Sequence, residues 1–289
     1  MEVIPIMLAA VAVMFLVEKL WPANAQPKVQ CWWPRVILTN LCQASIVWII
    51  GLSLDTWMDR FAHAQPWGLR HHMGMLPQVL IGYLVITFAY YWWHRLRHES
   101  RFFWRLCHQL HHSPQRMEVL MSFYKHPLEI TINAVFSSAI TYVMLGCSVG
   151  SAATVTLITG VAELFYHWNI KTPLWLGPIF QRPESHRVHH QRKHHTNNYS
   201  DIPLWDILFG TYQNPRSPVP LCGFDPEKEN RFDDMLGFRD VHADGASQLA
   251  PMHLLPTCLG CSKRWACEMA NSPCKQTPKE NNQHENGQQ

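Results

Sequence analysis

Apolar residues are gathered into five blocks along the chain, separated by polar segments rich in His, Arg and Trp. A helix needs about 20 mainly apolar residues to cross a bilayer, and each block is long enough to cross or deeply enter one. The blocks cover residues 3–17, 36–54, 79–93, 130–147 and 152–166. This pattern predicts an all-α, polytopic membrane protein with four to five membrane-embedded helices.

The first block has two interpretations. The sequence "PANA" at residues 22–25 offers the small-residue cleavage site of a secretory signal. Against cleavage, the residues before the block include Glu2 and no Lys or Arg, and Glu18 and Lys19 interrupt the approach to the site. We favour a retained helix, with cleavage as the alternative.

The distribution of Lys and Arg predicts the orientation, because short cytoplasmic loops carry an excess of these residues. The loops after the first and third blocks are basic, whereas residues 55–76 between them mix acidic and basic side chains. The basic loops then face the cytoplasm, and block five returns there after a hairpin near "LGCSVGS". Every histidine cluster lies on this one side, which predicts a histidine-rich helical cap and a cytoplasmic C-terminus.

Three histidine clusters follow the apolar blocks. They are "HRLRH" at 94–98, "HQLHH" at 108–112 and "HRVHH" at 186–190. Offsets of three and four residues place side chains on one face of a helix. Neutral imidazole is a common metal ligand, so each cluster offers a convergent set of nitrogen ligands. The alternative for any one cluster is a set of interfacial cations, but three clusters on one side favour a metal site.

One straight helix cannot bring the first two clusters together. His94 and His108 are fourteen residues apart, about 21 Å along a helix axis. The chain must therefore break between them, and Ser100 is a good N-cap for a new helix. Ser113 and Pro114 then end that helix. Two short helical pieces can thus direct their histidines to one place.

Eight or nine histidines exceed the four ligands of a structural zinc site, which predicts two ions. Imidazole suits zinc, copper, iron and nickel alike, so the ligand type does not select the metal. Iron at the membrane surface would allow dioxygen to oxidise a lipid. Two other classes stay open: a metal transporter, which would place its histidines at mid-membrane, and a non-catalytic, zinc-binding relative that binds lipid.

The order of the clusters, with "FYHWN" before the last and "NNYSDIPLWDILFGTY" after it, resembles the fatty acid hydroxylase superfamily. That group includes the sterol desaturases and alkylglycerol monooxygenases. The resemblance covers about residues 77–215. It implies a membrane diiron oxygenase that hydroxylates or desaturates a fatty acyl, sterol or alkylglycerol type of lipid with O2. The motifs do not choose among hydroxylation, desaturation and ether cleavage, nor do they identify the lipid.

The resemblance implies nine iron ligands: His94, His98, His108, His111, His112, His167, His186, His189 and His190. Three further residues match supporting positions, where a carboxylate or amide orients a ligating histidine: Glu163, Asn198 and Asp206. Ser200 departs from the family, which commonly has glycine there. His126 matches a family element of unassigned role. His194 and His195 match no family position and are expected at the surface.

The sequence divides into three predicted regions: N-terminal transmembrane helices (1–76), the hydroxylase-like diiron domain (77–215) and a flexible cytoplasmic extension (216–289). The extension carries a Cys-rich group whose spacing fits no standard metal site: Cys258, Cys261, Cys267 and Cys274. The net charge is only +3, and membrane-flanking Arg residues suit lipid headgroups, so no nucleic-acid partner is expected. Because the chain has no dinucleotide-binding loop, electrons must come from an external donor protein.

Overall fold

A computed structural model of the chain describes residues 3–243. Four long helical segments dominate the first two thirds: α1 (Val3–Leu20), α2 (Trp32–His63), α4 (Met75–Glu99) and α8 (Val149–His167). A short α3 (Leu69–His72) precedes α4. Within the described residues there is no β-strand, only an isolated antiparallel bridge between Gln191 and Cys222. The predicted all-α class is confirmed.

Shorter helices build the part of the chain that carries the histidine clusters. They are α5 (Arg101–Phe103), α6 (Gln109–His112), α7 (Pro127–Ser138), α9 (Pro183–His189), α10 (Pro203–Leu208), α11 (Pro226–Glu229) and α12 (Phe232–Leu236). Single π turns lie at Trp104–His108 and Ala139–Met144. Two 3-10 turns lie at Val119–Phe123 and Leu174–Leu176.

Among the described residues, three helices are long and apolar enough to cross a bilayer, namely α2, α4 and α8. The third and fifth predicted blocks lie inside α4 and α8. The fourth block is divided between α7 and the π turn that follows it, and the chain reverses over residues 145–148 as expected for a hairpin. The number of spans, four to five by sequence, and the cytoplasmic side of the cap stay predictions.

The helices α4 and α8 pack against each other and set the frame for the site. Val79, Ile86 and Val155 are buried together at this contact. Gly82 lies so close to Val155 that a Cβ added at Gly82 would be 3.1 Å from the Val155 side chain. The backbone N–H of Ser148 donates to the side chain of Gln78 at 2.8 Å, so the start of α8 lies beside the start of α4. The two helices therefore run parallel in sequence direction, and their histidine-bearing C-terminal ends, at His94 and His167, lie together at the other end of the pair.

The break predicted after the first histidine cluster is present. Helix α4 ends at Glu99, and the side chain of Ser100 accepts a hydrogen bond from the backbone N–H of Phe103 at 3.5 Å. Helix α6 ends at His112, directly before Ser113 and Pro114. The π turn between α5 and α6 was not predicted; such a turn changes the direction of side chains along a helix and is frequent at functional sites.

The chain after residue 216 differs from the predicted flexible extension. Phe224, Met235 and Val241 are buried in one cluster with Trp104 and Leu110 of the cap. A flexible tail buries no such surface, so the packed part of the chain continues to residue 243. The Cys-rich group predicted at 258–274 lies outside the described residues.

Backbone hydrogen bonds also join this segment to the third histidine cluster and to the residue that directly follows the second. The N–H of Gly223 donates to the carbonyl of His190 at 3.0 Å, and the N–H of Phe224 donates to the carbonyl of Ser113 at 3.0 Å. Gly223 has a φ of +70°, and a Cβ there would lie 2.2 Å from the carbonyl oxygen of Pro114. Only glycine allows this close crossing.

Two truncations should therefore behave differently. Ending the chain after residue 250 should leave metal content and lipid oxidation largely intact, because every buried contact described above is kept. Ending it after Arg216 removes Phe224, Met235 and Val241 from the core, and each such loss costs about 2–5 kcal/mol. Thermal unfolding of the two purified proteins tests this. Equal unfolding temperatures for the two would show that residues 217–243 contribute nothing to the core.

The fold also predicts on which side of the membrane each loop lies. Ala64 follows α2 directly, and the segment after it docks on the α7–α8 turn, where the N–H of Leu69 donates to the carbonyl of Leu145 at 2.9 Å. This turn lies at the end of α4 opposite to His94. A reporter inserted near Ala64 should therefore be external, and reporters after Tyr212 or Ala243 should be cytoplasmic. Finding the Ala64 and Tyr212 reporters on one side would refute this helix arrangement.

Candidate metal centre

The nine histidines singled out in the sequence lie together as two buried groups. The group of five consists of His94, His98, His108, His112 and His189. The group of four consists of His111, His167, His186 and His190. Within each group, the ring nitrogens offered as ligands all lie within 4.8 Å of one another. Five helical elements, namely α4, the π turn before α6, α6, α8 and α9 with its C-cap His190, therefore direct imidazoles to two neighbouring points.

Each H-x-x-H-H cluster divides its last two histidines between the two groups. His111 belongs to the group of four and His112 to the group of five, and likewise His190 and His189. Adjacent residues point to different sides of a helix end, so one cluster can serve two centres. The rings of His112 and His190 stack with 4.1 Å between centroids, which places the two groups directly side by side.

The spacing of the nitrogens suits metal coordination. Nε2 of His108 lies 2.9 Å from Nε2 of His98 and 3.1 Å from Nε2 of His112. In the other group, Nε2 of His186 lies 3.2 Å from Nε2 of His167 and 3.1 Å from Nε2 of His190. With a metal–nitrogen bond of about 2.1 Å, two ligands at a right angle are about 3.0 Å apart.

The hydrogen bonds made by Nδ1 show that at least one of these Nε2–Nε2 contacts brings two unprotonated nitrogens, and hence two lone pairs, together. Nδ1 of His94 donates to the carbonyl of Tyr199 at 2.7 Å, and Nδ1 of His189 donates to the carbonyl of Asn197 at 2.7 Å. A neutral imidazole has one N–H, so both Nε2 atoms are then unprotonated. These two Nε2 atoms nevertheless lie 3.0 Å apart. Two lone pairs at this distance repel unless a cation lies between them.

A shared proton is a poor candidate for that cation. Burial lowers the pKa of His189 to about 3. Burial, together with neighbouring imidazoles and other cationic groups, lowers the pKa of His108, His112, His186 and His190 well below the ordinary value. These rings are therefore neutral near pH 7, which is the form that binds a metal ion. An all-nitrogen ligand set suits iron, zinc, copper or nickel and not magnesium or calcium.

The three predicted supporting residues lie close to the groups but act through the backbone. The carboxylate of Glu163 forms an ion pair with Lys125, and it is the Glu163 carbonyl that accepts from Nδ1 of His167, at 2.8 Å. The side-chain amide of Asn198 donates to the carbonyls of Ser185 and Gln213. Asn198 thereby fixes the loop whose neighbouring carbonyl, from Asn197, orients His189.

Asp206 holds the same loop from α10. Its carboxylate accepts from the backbone N–H of Tyr199 at 2.8 Å, from the N–H of Ser200 at 2.9 Å and from the hydroxyl of Thr211 at 2.7 Å. The Tyr199 carbonyl is the group that orients His94. Ser200 does not have a positive φ, so the glycine common in the family is not required for this turn.

Two side chains beside the groups were not identified from the sequence. Glu129 is fully buried; it forms an ion pair with Arg97, and its carboxylate lies 3.0 Å from Nδ1 of His108. His195 was expected at the surface, which is wrong: it is 1% exposed, and its Nδ1 lies 3.2 Å from Nδ1 of His112. Since Nε2 of His112 faces its group, Nδ1 of His112 is the donor in this pair.

The sequence offered only a weak signal for either residue. Glu129 directly precedes the fourth apolar block, residues 130–147, which itself contains no acidic residue. His195 lies in a loop where Lys193, Asn197 and Asn198 also have positive φ. Helical spacing does not apply to such a loop, so the position of His195 could not be derived. His126, whose role was unassigned, caps α7: its Nδ1 accepts from the N–H of Leu128 at 3.0 Å.

Comparison with known proteins matches the histidine-bearing part of the chain to a known family. Residues 79–211 match the profile described as fatty acid hydroxylase. This chain contains a fatty acid hydroxylase domain. The resemblance seen in the sequence is thereby confirmed, and all nine histidines lie inside the matched residues of the hydroxylase domain. No solved structure matches the chain.

Several curated relatives of the hydroxylase domain act on lipids according to their names. The chain is 28% identical to an ornithine lipid hydroxylase from Rhizobium tropici, over 73% of this chain and 67% of the relative. It is 29% identical to human alkylglycerol monooxygenase, over 50% of this chain and 34% of the relative. It is 26% identical to a sphingolipid C4-hydroxylase from Schizosaccharomyces pombe, over half of each chain. The chain thus spans only a third to a half of the latter two relatives.

Glu129 provides a test of the geometry around His108. Replacing Glu129 with Gln should lower metal affinity by about 10–100-fold, because a carboxylate beside the free ring nitrogen raises the basicity of a ligating histidine. Competition with a chelator measures this affinity. Glu163→Gln is the matched control, since it also breaks a carboxylate–cation pair but removes no side-chain contact with a histidine. An equal loss in both variants would mean that only ion pairing matters.

Proposed function

We propose that this chain is a membrane-bound diiron oxygenase that hydroxylates or desaturates a lipid with O2 and electrons from an external donor. The observation that carries the proposal is the pair of adjacent histidine groups inside a fatty acid hydroxylase domain. The nine histidines are the proposed ligands, five for one ion and four for the other. Zinc or copper also suits these nitrogens, and iron is chosen because this family depends on it.

Iron bound at the two groups would supply the capacity to activate dioxygen and oxidise an unactivated C–H bond. The protein contributes the surroundings. Tyr199, Asn197 and Glu163 supply the carbonyls that fix the tautomers of His94, His189 and His167, so that Nε2 faces the ion in each case. Burial of the histidines excludes water, and it keeps the imidazoles neutral.

The proposed substrate is a lipid whose apolar chain reaches the centre from the bilayer. Two facts support this choice: His94 and His167 stand at one end of two candidate spans, α4 and α8, and the relatives named above act on ornithine lipids, alkylglycerols and sphingolipids. A metal transporter would place its histidines along a path across the membrane, whereas these lie at one end of the helices.

Whole-cell lipids provide the test of this function. We expect a host that expresses the full chain in air to accumulate a lipid class with one additional oxygen or two fewer hydrogens, detected by mass spectrometry. The same cells grown with little oxygen should show much less of it. If the lipids match those of the empty-vector host although the protein is in the membrane, the non-catalytic, lipid-binding alternative is favoured.

A further inference from the structure

Helix α10 lies against the middle of a candidate membrane span. The indole N–H of Trp205 donates to the hydroxyl of Thr87 at 3.0 Å, and the rings of Trp205 and Phe88 are 5.0 Å apart. Phe209, which directly follows α10, packs on Tyr91 with 5.1 Å between ring centroids. All three α4 partners lie within the helix Met75–Glu99, away from both of its ends.

The contacts fix the depth of α10 relative to the histidines. Thr87 precedes His94 by seven residues, which is about 10 Å along a helix axis. Thr87 also follows Met75 by twelve residues, about 18 Å along the same axis. A hydrocarbon layer about 30 Å thick that covers most of α4 therefore includes the level of Thr87. Helix α10 then lies inside the apolar layer, on the side of the layer nearest the histidines.

The outer faces of α4 and α10 both expose large apolar side chains. On α4, large apolar side chains recur at every fourth position and are exposed: Leu80, Leu84, Phe88 and Trp92. On α10, the exposed side chains are also large and apolar: Leu204, Ile207 and Leu208. A stripe of this kind on a candidate span is the surface that meets acyl chains, and α10 extends it sideways at the level of Phe88.

The one charged side chain of this segment is enclosed and hydrogen-bonded inside the protein. Asp206 is the one charged residue in the stretch from Ile202 to Gln213; it is 0% exposed, and it accepts three hydrogen bonds. Non-helical backbone and charge are tolerated at membrane depth only when they are enclosed in this way. The enclosed carboxylate of Asp206 meets this condition, so the segment can lie at membrane depth.

We propose that α10 is a membrane-embedded helix whose Leu204, Ile207 and Leu208 contact the acyl chains of the bilayer leaflet nearest the histidine groups. The helix does not span the membrane. It enters and leaves on the same side, because Tyr199 before it and Thr211 after it are both joined to Asp206. Through Asp206 and the Tyr199 carbonyl, this lipid-contacting helix is linked to His94. The proposal needs no iron and no turnover, so it stands independently of the proposed function.

Photo-crosslinking in phosphatidylcholine nanodiscs tests the proposal. The photoreactive residue p-benzoylphenylalanine replaces Leu208 in one full-length variant and Leu221 in another. The two leucines are matched in exposure, at 61% and 55%, but Leu221 lies beside the charged pair Arg192 and Asp225. With alkyne-tagged acyl chains in the disc, irradiation should attach lipid to the Leu208 variant and leave the Leu221 variant at the level of the unirradiated sample.

A second measurement, of exposure to water instead of lipid, keeps the proposal testable if a p-benzoylphenylalanine variant fails to fold. Leu208→Cys and Leu221→Cys are exposed to a water-soluble maleimide in the same nanodiscs, where both faces are open to solvent, and the parent chain supplies the background. We expect labelling above background at residue 221 and none at 208. Maleimide labelling at 208 without a lipid adduct would overturn the proposal. A crosslink from 208 to a second copy of the chain would do the same.

Discussion

Replacing His111 with alanine is expected to abolish lipid oxidation while the protein remains in the membrane. His111 is one of four nitrogens in its group, and its ring lies 5.1 Å from the ring of His167 and 4.9 Å from that of His190. Loss of a residue that merely orients a ligand costs about 10–100-fold, so loss of a ligand should exceed about 100-fold. The apolar segments are unchanged, and insertion should therefore persist.

Oxidised lipid per amount of membrane-embedded protein measures this effect. The control is His71→Ala, because His71 is an exposed histidine of α3, at the opposite end of α4. It removes an imidazole of the same size without touching either group. The interpretation fails if His111→Ala keeps activity close to that of the parent, or if His71→Ala loses as much.

The second expected result is a separate loss of each metal ion. The purified chain should hold about two ions, and removing one ligand from either group should release about one of them, because the two groups share no histidine. His186→Ala removes a ligand from the group of four, and His98→Ala removes one from the group of five. The double variant should be nearly metal-free.

Elemental analysis of each purified variant gives these numbers. His126→Ala serves as the control, since His126 caps α7 and belongs to neither group. A parent chain with one tightly bound ion, or a His186→Ala variant that keeps the full metal content, would contradict two separate centres. Loss of both ions in each single variant would instead indicate one shared cluster.

The sequence predicted the helices and the convergence of the nine histidines well because both depend on local spacing. The offset of four between His94 and His98, and the offsets of three and four in the later clusters, require a helix to bring the rings to one face. Ser100 as a cap, and Ser113 with Pro114 as a helix end, are equally local signals. These features appear in the structure where the sequence places them.

The features that the sequence did not predict depend on distant contacts. Glu129 lies beside His108 only because α7 packs against the π turn. Phe224 and Met235 looked like part of a polar tail, because their burial depends on Trp104 and Leu110, more than a hundred residues earlier. The division of each H-x-x-H-H cluster between two groups likewise requires the His112 ring to meet those of His189 and His190, which spacing alone does not specify.

Isotope labelling with the purified protein tests the central claim most directly. The full chain is loaded with iron in phosphatidylcholine nanodiscs that contain total lipid from its host, and it is supplied with a chemical reductant and ¹⁸O2. We predict consumption of O2 and a lipid product that carries one ¹⁸O atom or has lost two hydrogens, with neither in the zinc-loaded chain. Both metal centres filled with iron, with no O2 consumed and no lipid changed, would contradict an oxygenase.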